Sequence, residues 1–296
     1  MFTSLIGHHS TQAQLAKLLE SGRFPHAILL HGPQGIGKRV LAENLALRLI
    51  CGPAQAGSTE VDMFGAPVET TPDQGPLAFD QSSPVYAQIQ AESCPDYYIL
   101  QPDDGKKSIG IKQVQNLLEN LLRTADTART VIVDSLEDLT TEAANTLLKT
   151  LEEPRPGIFF ILIAHQLSAT LPTIRSRCRL MPLLPLSTDE TRDVLKEQGA
   201  DVSLATVANG CPGSVIGNAA KARAEALLAL QSGQKPSLTT PGYISILMQH
   251  LSQNQASLPH AEAYFKLAAL QRDAADKNLT AALVNETAQT IYENIK

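Results

Sequence analysis

The sequence predicts an α/β fold: a P-loop domain with a parallel sheet, followed by a small helical lid and an all-α C-terminal region. Three observations predict it. The run His31-Gly32-Pro33-Gln34-Gly35-Ile36-Gly37-Lys38-Arg39 lies between the apolar segment Ala27-Ile28-Leu29-Leu30 and a segment with Leu41, Leu45 and Leu49 every four residues. Short apolar runs at 97–100, 130–134 and 158–163 alternate with amphipathic helical stretches, the pattern of a parallel sheet covered on both faces. Beyond Pro185 the β-branched runs stop and only helical spacing continues. The expected domains are therefore 1–185, interrupted by an irregular insertion at 52–93, then a lid at 186–226 and an all-helical region at 227–296.

Taken in order, Ser10 is placed to cap a first helix carrying Leu15, Leu18 and Leu19, with Gly22 to end it. The loop helix runs to Cys51-Gly52-Pro53, where Pro, Gly, Gln, Ser and Thr take over without periodicity. Tyr97-Tyr98-Ile99-Leu100 reads as a core strand. Ile109, Ile111, Val114, Leu117, Leu118, Leu121 and Leu122 trace one helical face. Thr130-Val131-Ile132-Val133 is a buried strand that delivers Asp134 to its carboxyl end, where α/β sheets place functional groups. A capped helix spans Thr140 to Pro154, a strand follows at 158–163, and Pro172 opens a short helical turn into Arg175-Ser176-Arg177-Cys178-Arg179. Thr188 is placed to cap a lid helix, and Asn209-Gly210-Cys211-Pro212-Gly213 turns into an alanine-rich one. Pro236 to Gly242 is a linker. The remainder is helical around Ile244, Leu247 and Leu251, then Phe265, Leu267 and Leu270, then Leu283, Val284 and Ile291.

The spacing of Gly32, four residues, Gly37-Lys38 is that of a phosphate-cradling loop. Its glycines, Gly32, Gly35 and Gly37, let backbone N–H groups converge at a helix N-terminus, and Lys38 can reach outer phosphates. The next residue should be Ser or Thr, to ligate magnesium, and it is Arg39. Bound nucleotide and a merely structural turn both stand at this point. Lys38 reads equally as a phosphate ligand and as a cap on loop carbonyls. Asp134 reads as an anchor for local hydrogen bonds.

With 43% hydrophobic and 18% charged residues, the 296-residue chain can build a sizeable core. A net charge of −6 argues against strong autonomous nucleic-acid binding, so contact with DNA is expected only through an assembly. No window approaches a membrane span, and Met1-Phe2-Thr3-Ser4 does not open a secretory signal, so a cytoplasmic protein without membrane association is expected. Cys51, Cys94, Cys178 and Cys211 lie far apart and read as reduced thiols, with neither disulfide nor metal.

Several motifs together are more specific than the loop: Gly7-His8, Pro25-His26-Ala27, Pro95-Asp96-Tyr97, Ala143-Ala144-Asn145, Leu147-Leu148-Lys149, Leu151-Glu152-Glu153-Pro154 and Ile174-Arg175-Ser176-Arg177-Cys178. In order and spacing the sequence resembles the clamp-loader branch of the AAA+ ATPases, whose C-terminal helical region is a collar for oligomerisation. The resemblance implies that Arg177, in its Ser176-Arg177-Cys178 setting, enters a neighbouring subunit's nucleotide site as a trans arginine finger. Arg175 and Arg179, on the same face by alternation, read as ordinary surface arginines, solvated or paired. His165, where relatives carry a small polar sensor residue, reads as a satisfied buried histidine.

Three departures point to the non-hydrolysing type of that branch. Arg39 replaces the metal-binding hydroxyl, Ser135 follows Asp134 where hydrolysing relatives have the glutamate that polarises water, and Gly213-Ser214-Val215-Ile216 lacks the lid arginine. No zinc is expected, because only Cys51 and Cys94 remain where the family's module has four cysteines. ATP or ADP is expected, if at all, without hydrolysis. The partners implied are ATP-hydrolysing loader subunits, the clamp-opening subunit and, through the complex, a sliding clamp and primer-template DNA within a replicative DNA polymerase holoenzyme. The alternative is an active ATPase motor subunit of the same fold.

Overall fold

The computed structural model describes residues 5–54, 60–61, 67–68, 75–121, 128–232, 234, 236–237, 243–253, 258–276 and 280–295. It divides into two compact units, Met1–Leu186 and Ser187–Lys296.

In the first unit the described elements are α1 (His9–Glu20), β1 (Ala27–His31), α2 (Lys38–Cys51), a short antiparallel pair β2 (Glu60–Val61) and β3 (Pro67–Val68), and α3 (Pro84–Gln90). Then come β4 (Tyr97–Leu100), α4 (Ile111–Leu121), β5 (Arg129–Val133), α5 (Thr141–Glu152), β6 (Ile158–Ala164), α6 (Pro172–Arg175) and β7 (Arg179–Pro182). The main sheet is wholly parallel in the order β4-β5-β6-β1-β7. Burial on both faces explains why β5 and β6 are runs of β-branched and aromatic residues rather than alternating ones. A core of Leu29, Val131, Val133, Phe160 and Leu162 from the strands meets Val114, Leu117, Leu147, Leu151 and Ile174 from the helices.

Local chemistry sets the boundaries. Thr140 caps α5, accepting from the Ala143 N–H at 3.3 Å. The edge of the sheet is tied by a buried ion pair, Arg129 Nε to Asp96 Oδ1 at 2.8 Å, while Arg129 Nη1 reaches the Leu121 carbonyl at 3.0 Å at the end of α4. Asp96, read as part of a motif, is thus the carboxylate that joins β4, β5 and α4.

Several expectations need correction. The N-cap position of α1 is His8, in the left-handed region at φ 55°, so Ser10 lies inside the first turn. The insertion is not irregular throughout: Ser83 and Pro84 start α3, and Phe79 and Ile89 pack with Leu47 and Ile50 of α2. Its remaining calls, at 55–59, 62–66 and 69–74, lie outside the described residues, as does Leu122. Strand β7 was not foreseen, because Arg179 and Pro182 break its apolar pattern; its place on the edge beside β1 makes it a strand.

The second unit holds α7 (Thr188–Glu197), α8 (Ala205–Ala208), α9 (Asn218–Gln231), α10 (Tyr243–Gln253), α11 (Leu258–Asp276) and α12 (Ala281–Glu293). Ser187, not Thr188, caps α7, through a capping box with Glu190. Helix α9 runs through the boundary expected at 226. Leu195, Val207 and Val215 share a core with Leu227, Leu247, Leu267 and Val284. Phe265 and Leu283, which lie on the helices expected there, are 70% and 54% exposed. Most of the 236–242 linker lies outside the described residues.

Candidate functional site

Strand β1 ends at His31, and its neighbours on one side, β6 and then β5, end at Ala164 and Val133. The carboxyl ends of three adjacent strands thus meet the loop from Gly32 to Gly37 and the N-terminus of α2. Gly32 is required here: at φ +154° it donates its N–H to the Ala164 carbonyl at 3.3 Å, and any Cβ would lie 2.3 Å from the Leu183 carbonyl oxygen. Gly35 and Gly37 hold φ of 83° and 97°, which lets the loop turn onto the helix. His8 Nε2 lies 2.7 Å from the Ile36 carbonyl and braces the far side of the loop.

Lys38 is 3% exposed, and its ammonium donates to the carbonyls of Gly32 at 2.7 Å and Pro33 at 2.6 Å. Of its two sequence readings, the geometry is that of the carbonyl cap. Beside it, Arg39 takes up Asp134: Nη1 to Oδ2 is 2.8 Å, Nε to Glu43 Oε1 is 2.5 Å, and Nη1 also reaches Gln101 Oε1 at 3.3 Å. Burial works against the guanidinium's charge, but Glu43 and Asp134 outweigh it and hold the pKa above its ordinary value. The expected anchoring role of Asp134 therefore has a specific partner, a cation from the loop helix. The residues do not fit a magnesium-nucleotide as they stand: the hydroxyl is missing, and a permanent charge is bonded to the carboxylate that would face the metal.

Ser135, 2% exposed, is turned inward: its hydroxyl donates to Asp138 Oδ2 at 2.6 Å. The nearby carboxylate Glu137 accepts from the backbone N–H groups of His165 and Gln166 at 2.7 and 2.8 Å, so it fastens the end of β6. His165 is half-buried, and its Nδ1 is buried without a hydrogen-bond partner among the described residues, so it is not the satisfied histidine expected. Its pKa is lowered by burial and then by Lys38, against the opposing pull of Glu137, Asp134 and Asp138. His31 is lowered likewise, by burial, Arg175 and Lys38.

Ser176-Arg177-Cys178 forms the turn between α6 and β7. Ile174 and Cys178 are packed in the sheet core on either side of it, and burial pushes the Cys178 thiol up to about 12, so it acts as a small hydrophobe. Arg177 faces outward with its side chain 34% exposed. It bonds the Thr173 carbonyl at 2.9 Å, Ser176 Oγ at 3.2 Å and Glu152 Oε1 at 2.7 Å. The three arginines do not share a face: Arg175 ends a helix near His31, Arg177 is in the turn, and Arg179 begins a strand. The alternation failed because the segment is not extended.

The 213–216 turn lies in the second unit, where Val215 is core at 3% exposure. Among the described residues no group of three or more His, Cys, Asp or Glu is arranged to hold a metal ion. No helix among them is long and apolar enough to cross a membrane. Sequence reasoning missed Glu43, signalled only by its i, i+4 spacing from Arg39, and took Glu152 only as part of the Leu151-Glu152-Glu153-Pro154 motif without its partner Arg177.

Residues 69–187 match the family model described as DNA polymerase III, delta subunit. The chain is 37% identical over 170 residues to the DNA polymerase III subunit delta' of Pseudomonas aeruginosa, covering 56% of this chain and 45% of that protein. It is 31% identical over 210 residues to the delta' subunit of Escherichia coli, covering 69% of this chain and 57% of that protein. The matches thus span about half the length of these relatives. In fold, it aligns with a DNA polymerase III gamma subunit-related protein from Thermotoga maritima over 97% of this chain and 100% of that one, with a TM-score of 0.53 at 15% identity. The chain thus shares the fold of that gamma subunit-related protein and is similar in sequence to the delta' subunits of bacterial DNA polymerase III.

Proposed function

We propose that this chain is a clamp-loader subunit of the delta' type, which does not hydrolyse ATP itself and completes a neighbour's site with Arg177. The observation that carries the reading is the Arg39–Asp134 ion pair, set in a loop that otherwise keeps the phosphate-cradling frame. With the metal-facing carboxylate bonded to a guanidinium and Ser135 bonded to Asp138, neither residue is poised at the loop to bind magnesium or to activate water. Arg177, by contrast, stands on a turn fixed by two core residues and presents a permanent, planar charge outward.

In this reading Arg177 meets charge developing on the phosphate transferred in an adjacent ATPase subunit, so this chain enables a hydrolysis that it does not perform. Its partners are the ATP-hydrolysing loader subunits and the clamp-opening delta subunit, with the sliding clamp and primer-template DNA engaged through the complex in the cytoplasm. The four cysteines are reduced thiols, and no zinc takes part.

The test is the DNA- and clamp-stimulated ATPase rate of the reconstituted loader carrying this chain or its Arg177→Ala variant, at equal assembly. A loss of roughly tenfold or more is expected, since finger arginines can contribute on the order of a thousandfold. An unchanged rate with intact assembly would overturn the trans role. Hydrolysis by the isolated chain would instead support the motor alternative.

A further inference from the structure

The geometry points to Glu152 as the positioning residue for Arg177, an inference that rests on the trans-finger reading above. Glu152 is the last residue of α5, and its Oε1 lies 2.7 Å from Arg177 Nη2, with the two side chains 48% and 34% exposed. A carboxylate at the carboxyl end of a helix faces the negative end of the helix dipole. At the opposite end the same helix carries its acid where the dipole favours it, Glu142 in the first turn. Lys149 lies in the same last turn, but the ion pair Glu152 makes is with Arg177 across from it.

The pairing also joins two elements whose relative position is fixed. Leu147 and Leu151 of α5 share one core with Ile174 and Cys178, which bracket the arginine turn. Glu152 consequently reaches Arg177 from a rigid base. With Nη1 held by the Thr173 carbonyl and Ser176 Oγ and Nη2 by Glu152, the guanidinium is fixed in both position and plane. A long flexible side chain otherwise has to be ordered when the interface closes, and a fork ordered beforehand is delivered at less entropic cost. Glu152 touches no reacting atom; it sets the heading of the group that does. The neutral amide of Glu152→Gln keeps the size of the side chain but removes the charge that pairs with the guanidinium.

The experiment is a double-mutant cycle in the reconstituted loader, with kcat and KM for ATP measured for Glu152→Gln, Glu152→Asp, Arg177→Ala and the Glu152→Gln/Arg177→Ala pair. Assembly and thermal midpoints are matched beforehand. A kcat loss of roughly three- to fivefold is expected for Glu152→Gln with KM unchanged, most of it restored by Glu152→Asp, and no further loss when Arg177 is already alanine. If Arg177→Ala lowers the rate while Glu152→Gln leaves it untouched, or if Glu152→Gln takes the same fraction from both backgrounds, the positioning role is overturned and the finger reading stands. An Arg177→Ala variant that turns over normally removes the reading beneath it, and the inference with it.

Discussion

At position 39 a guanidinium stands where a P-loop carries a hydroxyl, and the exchange does more than delete a metal ligand. Serine or threonine would leave Asp134 facing the loop as an anion, while Arg39 neutralises it through a 2.8 Å bond. Arg39→Thr should therefore restore both ligands at once, and magnesium-dependent ATP binding should appear in isothermal titration of the variant but not of the parent chain. Hydrolysis should remain absent, because Ser135 still stands in place of a base. Equal MgATP affinity for both chains would refute the blocking role.

His165 supplies a pH dependence. Its folded-state pKa is lowered below 6.5 by burial and Lys38, so on acidification the unfolded chain takes up this proton before the folded one. Stability should fall as pH drops from about 6.5 through the lowered folded value, and His165→Gln should flatten that fall. Denaturant midpoints at pH 7.5, 6.5 and 5.5 measure it, and parallel slopes for both chains would dismiss the effect.

Among the elements, the strand–loop–helix unit at β1 and α2 depends on contacts the loop makes outside itself. Gly32→Ala places a methyl group 2.3 Å from the Leu183 carbonyl in a backbone conformation unsuited to L side chains. It should destabilise the first unit by roughly 2 kcal/mol or more, read as a shift of the urea midpoint. The β4–β5 edge depends on Asp96 and Arg129, whose side chains are 14% and 6% exposed. Asp96→Asn removes the carboxylate charge paired with a buried guanidinium and should cost about 3 kcal/mol, whereas a midpoint within a few tenths of the parent would show the pair to be dispensable.

The legibility of each element follows from how much of its pattern is its own. Helix α5 carries its first-turn acid and its apolar face in twelve residues, with its cap at Thr140 just before them, so its bounds are legible nearly to the residue. Strand β7, with burial at Met181 alone among its four residues, has no pattern of its own and exists through pairing with β1. Helix α3 was hidden by a proline- and glutamine-rich composition, although Ser83 and Pro84 form a sound start signal.

For the whole molecule, the sheet order gathers β1, β5 and β6 at one edge of the loop while β4 and β7 close the sides. The shape of the loop thus comes from buried strands and glycines rather than from the side chains of Lys38, Arg39 and Asp134. The Ser-Arg-Cys turn is supported by the core of the same unit, so both the loop and the turn that carries Arg177 belong to one compact unit. The second unit, Ser187–Lys296, forms its own helical core, with Phe265 and Leu283 left on its surface.

Local spacing determined the loop with its missing hydroxyl at 39, the cap of α5 at Thr140 and most of the alternation of strands and helices, while the resemblance to the clamp-loader branch supplied the missing glutamate at 135 and the Ser176-Arg177-Cys178 signature. The former are properties of neighbouring residues, which local sterics and hydrogen bonding dictate. Only the tertiary structure decided that Arg39 bonds Asp134, 95 residues away, that Lys38 turns to the loop carbonyls, and that Arg177 rests against Glu152. A charged side chain is committed to a partner by the order and register of the strands and helices that carry both, and such non-local pairings are written in no local spacing.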